Sequence, residues 1–560
     1  MSTSSAVDAR CDWILRRRAN DALPVLQLAP EILVDIFQDL RAEDIRDLWR
    51  GHWLAYTHVC HHWRTVAHAA PILWNHVCIR PETSEEALKA WLACSGTATV
   101  NVTIESRYDA QSMLGDDGFS DAVLECILPE MSRVETMQLL VSRKTLLALN
   151  WPIPAPLLTR LILSTMDHTA SASTDGLLSL ELRDSLPRLK TFTVSRFGFD
   201  FKHCVLPPTL TYLELSNPNP SANHTLNDIL KALKHLPLIE SLVLEDILPP
   251  RSVLDDPQDS VSFPSLKVLG ISGPLHEQLA LLNRIELGPS VRLRLHLVVH
   301  ESFTAVESLF TSSFSRYLDQ IPPLRAVLLY IQGDPSFSSN EHVGSCEFTF
   351  VAWDDPQVFD ELARMGRLYG DEDARIDITF SVPEPTTEWL PLLSYNSFSP
   401  LDNLFSRFPL SHVQSLTVDC LSGPMLTAPL LWRRMNALQT LCLFGGRDIG
   451  EGLLGTLQRI DLAQGIEQRT IIFPKLQTLF LSRVPCGDAL DLFREVLGER
   501  QQLQEEEAPS SARLKVVLKT CFGLTSSFIE DMETVAAVEW DGIEAQSYRE
   551  LAAYGRHDIG

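Results

Sequence analysis

The strongest constraint on the fold is a short apolar pattern that recurs between residues 158 and 481. In each copy, an apolar residue is followed by two more, three and five positions later. Neighbouring clear copies start 21 to 38 residues apart, except across one long gap after the fifth copy, and weaker copies begin at Val134 and Leu324. The clear copies are Leu158, Leu161 and Leu163; Leu189, Phe192 and Val194; Leu210, Leu213 and Leu215; Ile239, Leu242 and Leu244; Leu266, Leu269 and Ile271; Val413, Leu416 and Val418; Leu438, Leu441 and Leu443; and Leu476, Leu479 and Leu481.

The spacing of this pattern predicts a β-strand in every copy. The second and third apolar residues lie on one side of the strand, because side chains alternate between its two faces. One such strand cannot bury its apolar side alone, but units stacked side by side form a continuous core. Helices are predicted between strands at residues 226–235, 276–284 and 488–499, with Thr225 and Asp228 capping the first.

The pattern resembles the leucine-rich repeat in its long, irregular form. That family carries Asn or Cys two residues after the last apolar position, and only Asn217 and Cys420 match it here. The other copies carry Thr165, Arg196, Asp246, Gly273, Gly445 and Arg483 at that position. Because most of the Asn ladder is missing, the resemblance implies an irregular solenoid rather than a smooth horseshoe.

The middle of the chain, about 290–410, does not carry the pattern cleanly. Residues 291–300, 346–353 and 375–382 nevertheless have the composition of strands. Residues 513–520 and 535–540 are predicted as closing strands of a C-terminal cap, and the polar segment 501–512 as a loop. The predicted domains are a disordered or weakly helical N-terminus (1–23), a helical module (24–80) and the repeat array (81–560).

The prediction of a helical module is based on the stretch from Leu28 to Val77. Pro30 suits a first helical position, and Glu31 and Asp35 place negative charge near the positive end of the helix dipole. The apolar residues that follow fall at helical spacing, and residues 55–70 form a second helical run. Taken alone, the first apolar stripe is best explained as the core of a small helical domain.

Two pieces of this stretch, LAPEILVDIF and VCHHWRTVA followed by PILW, together resemble an F-box. F-box modules dock on the Skp-type adaptor of cullin–RING ubiquitin ligases, and the whole chain resembles an F-box protein with irregular leucine-rich repeats, of the fungal F-box-like type. Two departures are Ala29, where the family often has Pro, and the added segment 45–53. Carried over by position, the resemblance implies these adaptor-binding residues: Leu28, Pro30, Ile32, Leu33, Ile36, Phe37, Val59 and Trp63.

The composition of the chain limits which classes of function are possible. A net charge of −25, from 47 basic and 72 acidic residues, opposes binding to nucleic acid. No apolar run approaches the ~20 residues of a membrane span. Eleven scattered cysteines without a CxxC pair indicate reduced thiols, and therefore an intracellular protein of the cytoplasm, the nucleus or both.

Signals for catalysis and for cofactors are absent from the sequence. No GxSxG, P-loop, GxGxxG after a strand, or HExxH motif occurs. The densest group of possible zinc ligands is His58, Cys60, His61, His62 and His68, but it has no second ligand pair at zinc-finger spacing. We therefore predict no enzyme activity, no metal and no cofactor, and we interpret these histidines as surface residues.

The leading hypothesis from the sequence is a substrate-recognition subunit of a Skp-adaptor/F-box ubiquitin ligase, whose repeats bind an unknown target protein. Two alternatives stay open: a leucine-rich-repeat scaffold without a role in ubiquitin ligation, and an enzyme with unrecognised motifs. The strand side opposite the core is where solenoids bind partners. The target-binding residues predicted on that side are Arg160, Tyr212, Glu214, Thr440 and Phe480.

Overall fold

The fold is described from a computed structural model of the chain, in two compact units that span residues 1–239 and 240–560. The structure describes residues 23–46, 53–106, 125–142, 145, 154–165, 182–197, 199, 201–216, 224–248, 260–301, 303–333, 346–355, 374–382, 405, 407–420, 433–444, 458–463, 466–471, 473–484, 486, 490–507 and 513–545. The prediction for residues 1–22 lies outside this range.

The first unit begins with helices and continues as a sheet. Its helices are α1 (Pro30–Arg46), α2 (Leu54–Thr57), α3 (His61–Ala69), α4 (Glu85–Ser95), α5 (Leu182–Ser185) and α6 (Leu226–Leu233), with 3-10 turns at Pro24–Gln27, Pro71–Trp74 and Leu128–Arg133. Its strands are β1 (His76–Ile79), β2 (Val100–Glu105), β3 (Val134–Val141), β4 (Arg160–Thr165), β5 (Thr191–Ser195) and β6 (Tyr212–Ser216). These strands pair in chain order, each parallel to the next.

The second unit is also built mainly of parallel strands. Its strands are β7 (Ser241–Glu245), β8 (Val261–Ser262), β9 (Val268–Pro274), β10 (Ile285–Glu286), β11 (Arg292–Val298), β12 (Ala326–Gly333), β13 (Cys346–Trp353), β14 (Ile376–Val382), β15 (Ser415–Cys420), β16 (Thr440–Phe444), β17 (Gln458–Ala463), β18 (Ile466–Ile471), β19 (Thr478–Ser482), β20 (Lys515–Lys519) and β21 (Ala537–Trp540). Its helices are α7 (Leu275–Leu282), α8 (Phe303–Leu318), α9 (Leu490–Glu507) and α10 (Ser526–Met532), with a 3-10 turn at Leu410–His412.

The apolar pattern of the sequence marks the buried side of these strands, as predicted. Every residue of the eight clear copies is at most 4% exposed. The weaker copies that begin at Val134 and Leu324 are equally buried, in β3 and β12. The recurrent pattern therefore builds the core of a mixed α/β fold with long parallel sheets, which follows a helical N-terminal region.

An antiparallel strand explains why the pattern fails between residues 324 and 413. Strand β11 pairs in parallel with both β9 and β14, and β12 pairs in parallel with β15. Strand β13 fills the space between β12 and β14 and is antiparallel to both. Strands β12, β13 and β14 thus lie in the sheet in the reverse of their chain order, between β11 and β15. The sequence spacing of the repeat is therefore lost, although the sheet continues.

A left-handed turn recurs where the Asn of regular repeats is missing. Arg196, Asp246 and Arg483 have φ angles of 61°, 52° and 59°, and Gly273 and Thr520 are also positive. In the first three, the backbone N–H donates to a carbonyl of the neighbouring strand, at 2.6, 2.8 and 3.1 Å respectively. The same turn thus ends several strands without the residue type that usually marks it.

Several local predictions are confirmed and two are corrected. Thr225 caps α6 in a capping box with Asp228, and the predicted closing strands form β20 and β21. The predicted helical run 55–70 is wrong as a single helix, because it breaks at residues 58–60, where Cys60 caps α3. The predicted loop 501–512 is wrong for residues 501–507, which continue α9.

Candidate functional site

The helical module has its own apolar core, which contains two of the predicted adaptor-binding residues. Leu33 and Phe37, one helical turn apart on α1, are both 1% exposed. Partly buried Leu28 and Trp63 pack against the same core, and the rings of Phe37 and Trp63 meet edge to face at 5.5 Å. The structure therefore assigns Leu33 and Phe37 to the stability of the module.

A cluster of three tryptophans joins this core to the following helix. Trp53 lies 5.3 Å from Trp74 and 6.0 Å from Trp91, and Trp74 lies 5.2 Å from Trp91, between ring centroids. The indole N–H of Trp91 donates to the Trp74 carbonyl oxygen at 2.9 Å. Trp53 ends the added segment 45–53 and is 1% exposed, so that this departure from the F-box pattern supplies a core residue.

Polar contacts fix the two ends of the module. The guanidinium of Arg41, on α1, donates to the carbonyl oxygen of Ile72 at 2.6 Å and to the side-chain oxygen of Asn75 at 2.8 Å. Burial lowers the pKa of Arg41. The Sγ of Cys60 accepts from the Trp63 backbone N–H at 3.4 Å and so begins α3. The Arg41 contacts hold α1 against the turn at Pro71–Trp74, whereas the Cys60 contact fixes only the start of α3.

Other predicted adaptor-binding residues remain on the surface of the module. Ile32 and Ile36 are 48% and 38% exposed, and Val59 is 59% exposed. Ile32 and Ile36 are four residues apart on α1 and therefore share one side of the helix. Pro30 is exposed at the start of the same helix. Exposed large aliphatic side chains such as Ile32 and Ile36 on one side of a helix are typical of a protein-binding surface.

In the first unit, the predicted target-binding residues lie on the strand side opposite the core. Arg160 and Tyr212 belong to one cross-strand row, and Glu214 belongs to the next. Arg160 is exposed, whereas Tyr212 and Glu214 are half-buried. The Tyr212 hydroxyl donates to a Glu214 carboxylate oxygen at 2.8 Å, and the Thr193 hydroxyl lies 3.4 Å from the same oxygen. The carboxylate is thus held in place on the sheet surface.

In the second unit, the corresponding strand side is less accessible than the sequence suggests. Thr440 and Phe480 are half-buried, and Phe480 packs against a cluster that contains Leu328 and Trp353. The neighbouring positions Thr417 and Cys442 are 0% and 4% exposed. This part of the sheet is therefore apolar and largely covered on the side predicted to face solvent.

A cavity with charged side chains at its border occupies the same strand side in an earlier part of the second unit. It is bordered by Glu245, Arg294, His296, Glu347 and Asp377, from strands β7, β11, β13 and β14. Burial raises the pKa of Asp377, and the positive charges of Arg294 and His296 oppose that rise. Sequence reasoning missed Arg294, His296, Glu347 and Asp377, because β11, β13 and β14 lack the apolar pattern from which the strand sides were assigned, and it missed Glu245 because this residue lies one position past the last apolar residue of its copy.

The histidine-rich segment is distributed around the module. The His68 ring stacks on Trp74 with centroids 5.1 Å apart, and its Nδ1 lies 3.5 Å from the Cys94 sulfur. Among the residues with described positions, no group of three or more His, Cys, Asp or Glu side chains is arranged to hold a metal ion. Within the same residues, no helix has the length and apolar character needed to cross a membrane.

Comparison with known proteins identifies the helical module. A search of curated proteins found no match to this chain. A family profile described as F-box-like matches residues 27–80. This range contains α1, α2, α3, the Pro71–Trp74 turn and β1. Residues 27–80 of this chain are an F-box-like domain.

Proposed function

We propose that this chain is a substrate-recognition subunit of a cullin–RING ubiquitin ligase, in which the F-box-like domain docks on a Skp-type adaptor. F-box domains generally bind such adaptors, and the domain at residues 27–80 suggests this role. The observation that carries the proposal is the exposure of Ile32, Ile36 and Val59, while Leu33 and Phe37 fill the core. The proposed docking surface consists of Pro30, Ile32, Ile36 and Val59.

The parallel strands and their buried apolar repeats support a second part of the proposal. We interpret them as an irregular leucine-rich-repeat array that binds the target protein through the strand side opposite the core. The target would then be held near a ubiquitin-conjugating enzyme, which raises the effective concentration of its lysines. Under this proposal the chain performs no bond chemistry itself, and it acts inside the cell, where the cysteines that the structure shows as free thiols stay reduced.

Co-purification with a Skp-type adaptor tests the docking surface. The Ile32→Asp/Ile36→Asp variant places two charges on the exposed side of α1 and should weaken adaptor binding by about tenfold or more. The matched control is Leu238→Asp, because Leu238 is 51% exposed and lies outside the F-box-like domain. Circular dichroism should show that both variants keep the helical content of the wild type.

The result separates the proposal from its alternatives. Adaptor binding that is equal in the wild type and in the double variant, or absent from both, would refute docking through this surface. Proximity labelling of the wild type and the double variant under proteasome inhibition identifies partners that accumulate. If the chain binds the adaptor but no partner accumulates, the result favours a scaffold without a role in degradation. Accumulation that depends on Ile32 and Ile36 supports substrate recruitment.

A further inference from the structure

In the first unit, the strand side opposite the core is a polar surface that solvent reaches. The strand register aligns Asn101, Thr136, Arg160, Thr191 and Tyr212 in one cross-strand row of β2 to β6. Arg160 is exposed, and the other four residues are half-buried. Because consecutive strands lie about 4.8 Å apart, neighbours in this row can contact the same group of a bound partner.

Two hydrogen-bond donors lie side by side in this row without an acceptor. The Arg160 guanidinium forms no salt bridge or hydrogen bond with any residue whose position is described. On the neighbouring strand, the Thr191 hydroxyl also has no hydrogen-bond partner within the same residues. On the other side of Arg160, the Thr136 hydroxyl already donates to the Asn101 side-chain oxygen at 2.7 Å. Arg160 and Thr191 therefore remain to bind an external acceptor.

The acidic residue of the next row does not neutralise Arg160. Glu214 lies on β6, two strands from Arg160, and its carboxylate accepts from the Tyr212 hydroxyl at 2.8 Å. Two strand spacings and the step between rows separate the Cα atoms of Arg160 and Glu214 by about 10 Å or more. Exposed charges at this separation are largely screened at physiological ionic strength. The row thus keeps a local positive charge in a chain of net charge −25.

We propose that this row binds an acidic side chain, Asp or Glu, of an extended segment of the target protein. The guanidinium of Arg160 and the hydroxyl of Thr191 donate hydrogen bonds to the carboxylate. Guanidinium and carboxylate groups match as planar pairs that form two parallel hydrogen bonds, which gives specificity over a neutral amide of the same shape. That the partner is a target for ubiquitination rests on the function proposed above, whereas recognition of an acidic group rests on the row alone.

A carboxylate fits this position better than a phosphate does. One guanidinium balances the single charge of a carboxylate, whereas a phosphorylated side chain carries a charge of about −1.5 to −2 at pH 7. None of the other four residues of the row is cationic, so that part of the phosphate charge would stay unbalanced. The carboxylate of Glu214 in the next row would oppose this excess negative charge.

Binding of defined peptide pools to the full-length protein tests the proposal. Four degenerate nonapeptide pools carry Glu, Gln, phosphoserine or Lys at the central position, and Gln keeps the shape of Glu without its charge. The wild type should retain the Glu pool about fivefold better than the Gln and Lys pools, and also better than the phosphoserine pool. Because Arg160 is exposed, this preference should decline as the salt concentration rises.

Three variants place the binding at this row. Arg160→Gln removes the positive charge and should abolish the preference for the Glu pool. Thr191→Val removes the neighbouring donor at nearly constant volume and should reduce the preference by about twofold to fivefold. The matched control is Arg183→Gln, which removes the same charge from an exposed position on α5 and should leave the preference unchanged. Thermal unfolding should show that all three variants keep the wild-type fold.

Each outcome supports or overturns the proposal. No preference for Glu over Gln in the wild type, or a preference that survives in Arg160→Gln, would overturn it. Stronger retention of the phosphoserine pool than of the Glu pool would also overturn it, because the row would then bind a phosphorylated segment. Adaptor binding is measured on the same samples. Loss of adaptor binding with an intact peptide preference refutes the ubiquitin-ligase role but not the acidic-side-chain site, and the reverse result refutes only that site.

Discussion

Trp53 and Trp91 pack edge to face, with ring centroids 6.0 Å apart and an interplanar angle of 87°. Trp53 lies at the end of the segment that lengthens the F-box pattern, and Trp91 lies on α4, beyond the residues matched as F-box-like. The F-box-like domain is therefore not packed independently of the residues that follow it. It shares part of its core with α4, the first helix after the domain.

Replacing Trp53 should destabilise the F-box-like domain more than any exposed change does. Trp53→Ala removes a ring that is 1% exposed, and such truncations cost about 3–5 kcal/mol of unfolding free energy. Trp53→Phe should cost much less, because the Trp53 indole N–H has no hydrogen-bond acceptor among the described residues. Hydrogen exchange of the α1 and α3 amides measures the difference, and equal protection in both variants and the wild type would contradict the shared core.

Substitution of Leu33 should affect stability, whereas substitution of Ile36 should affect adaptor binding, although the two residues are three positions apart on one helix. Leu33→Ala should lower the unfolding free energy by about 2–5 kcal/mol, because Leu33 is 1% exposed. Ile36→Ala should change stability little, since Ile36 is 38% exposed, but should weaken adaptor binding. Thermal unfolding and adaptor titration of both variants check this. A large loss of stability in Ile36→Ala would mean that this side chain is a core residue.

The sequence predicts the buried side of the sheet well, because burial of one strand side leaves a pattern with a period of two. Leu161 and Leu163, for example, are 0% exposed in β4, as their spacing requires. The F-box-like domain is located by the resemblance of LAPEILVDIF and VCHHWRTVA to an F-box, and both pieces lie within the matched residues 27–80. Within that domain, however, the apolar pattern alone cannot separate Leu33 from Ile32, because a stripe on α1 is wide enough to serve both the core and the surface.

The sequence does not predict features that depend on which strands become neighbours. Asp377 and Arg294 interact because β14 pairs with β11 across 83 positions of the chain, and no local pattern encodes that pairing. At position 480 the sequence predicts a feature that the structure does not have. Its place in the strand predicts a solvent-facing side chain, but apolar residues of β12, β13 and β16 pack against Phe480.

The left-handed turn at Arg483 should tolerate glycine but not valine. A non-glycine residue at a φ of 59° costs about 1–2 kcal/mol, which Arg483→Gly relieves at the expense of backbone entropy of about 0.5–1 kcal/mol. Arg483→Gly should therefore be neutral or slightly stabilising. Arg483→Val should be clearly destabilising, because a β-branched residue fits this region poorly. Hydrogen exchange of the β19 and β20 amides compares the two, and equal protection in both would argue against backbone strain at this turn.

His76 should make the F-box-like domain less stable in mild acid. Burial, and secondly the positive charge of Arg41, lower the pKa of His76 from 6.5 to about 4. Between these values the imidazole is protonated in the unfolded chain but neutral in the folded one. The unfolded state then binds more protons, and the contribution of His76 to stability is fully present above pH 6.5 and is lost as the pH falls towards 4.

The His76→Gln variant isolates this effect from other titrating groups. Glutamine is neutral throughout and keeps a polar group near the side-chain nitrogen of Asn101, which lies 3.2 Å from Nε2 of His76. The difference in unfolding free energy between wild type and variant, measured for the α1 amides by hydrogen exchange, should shift in favour of the variant as the pH falls from 6.5 to 4. The shift is at most about 3 kcal/mol before solvent screening reduces it. A difference that stays constant over this range would show that His76 titrates alike in both states.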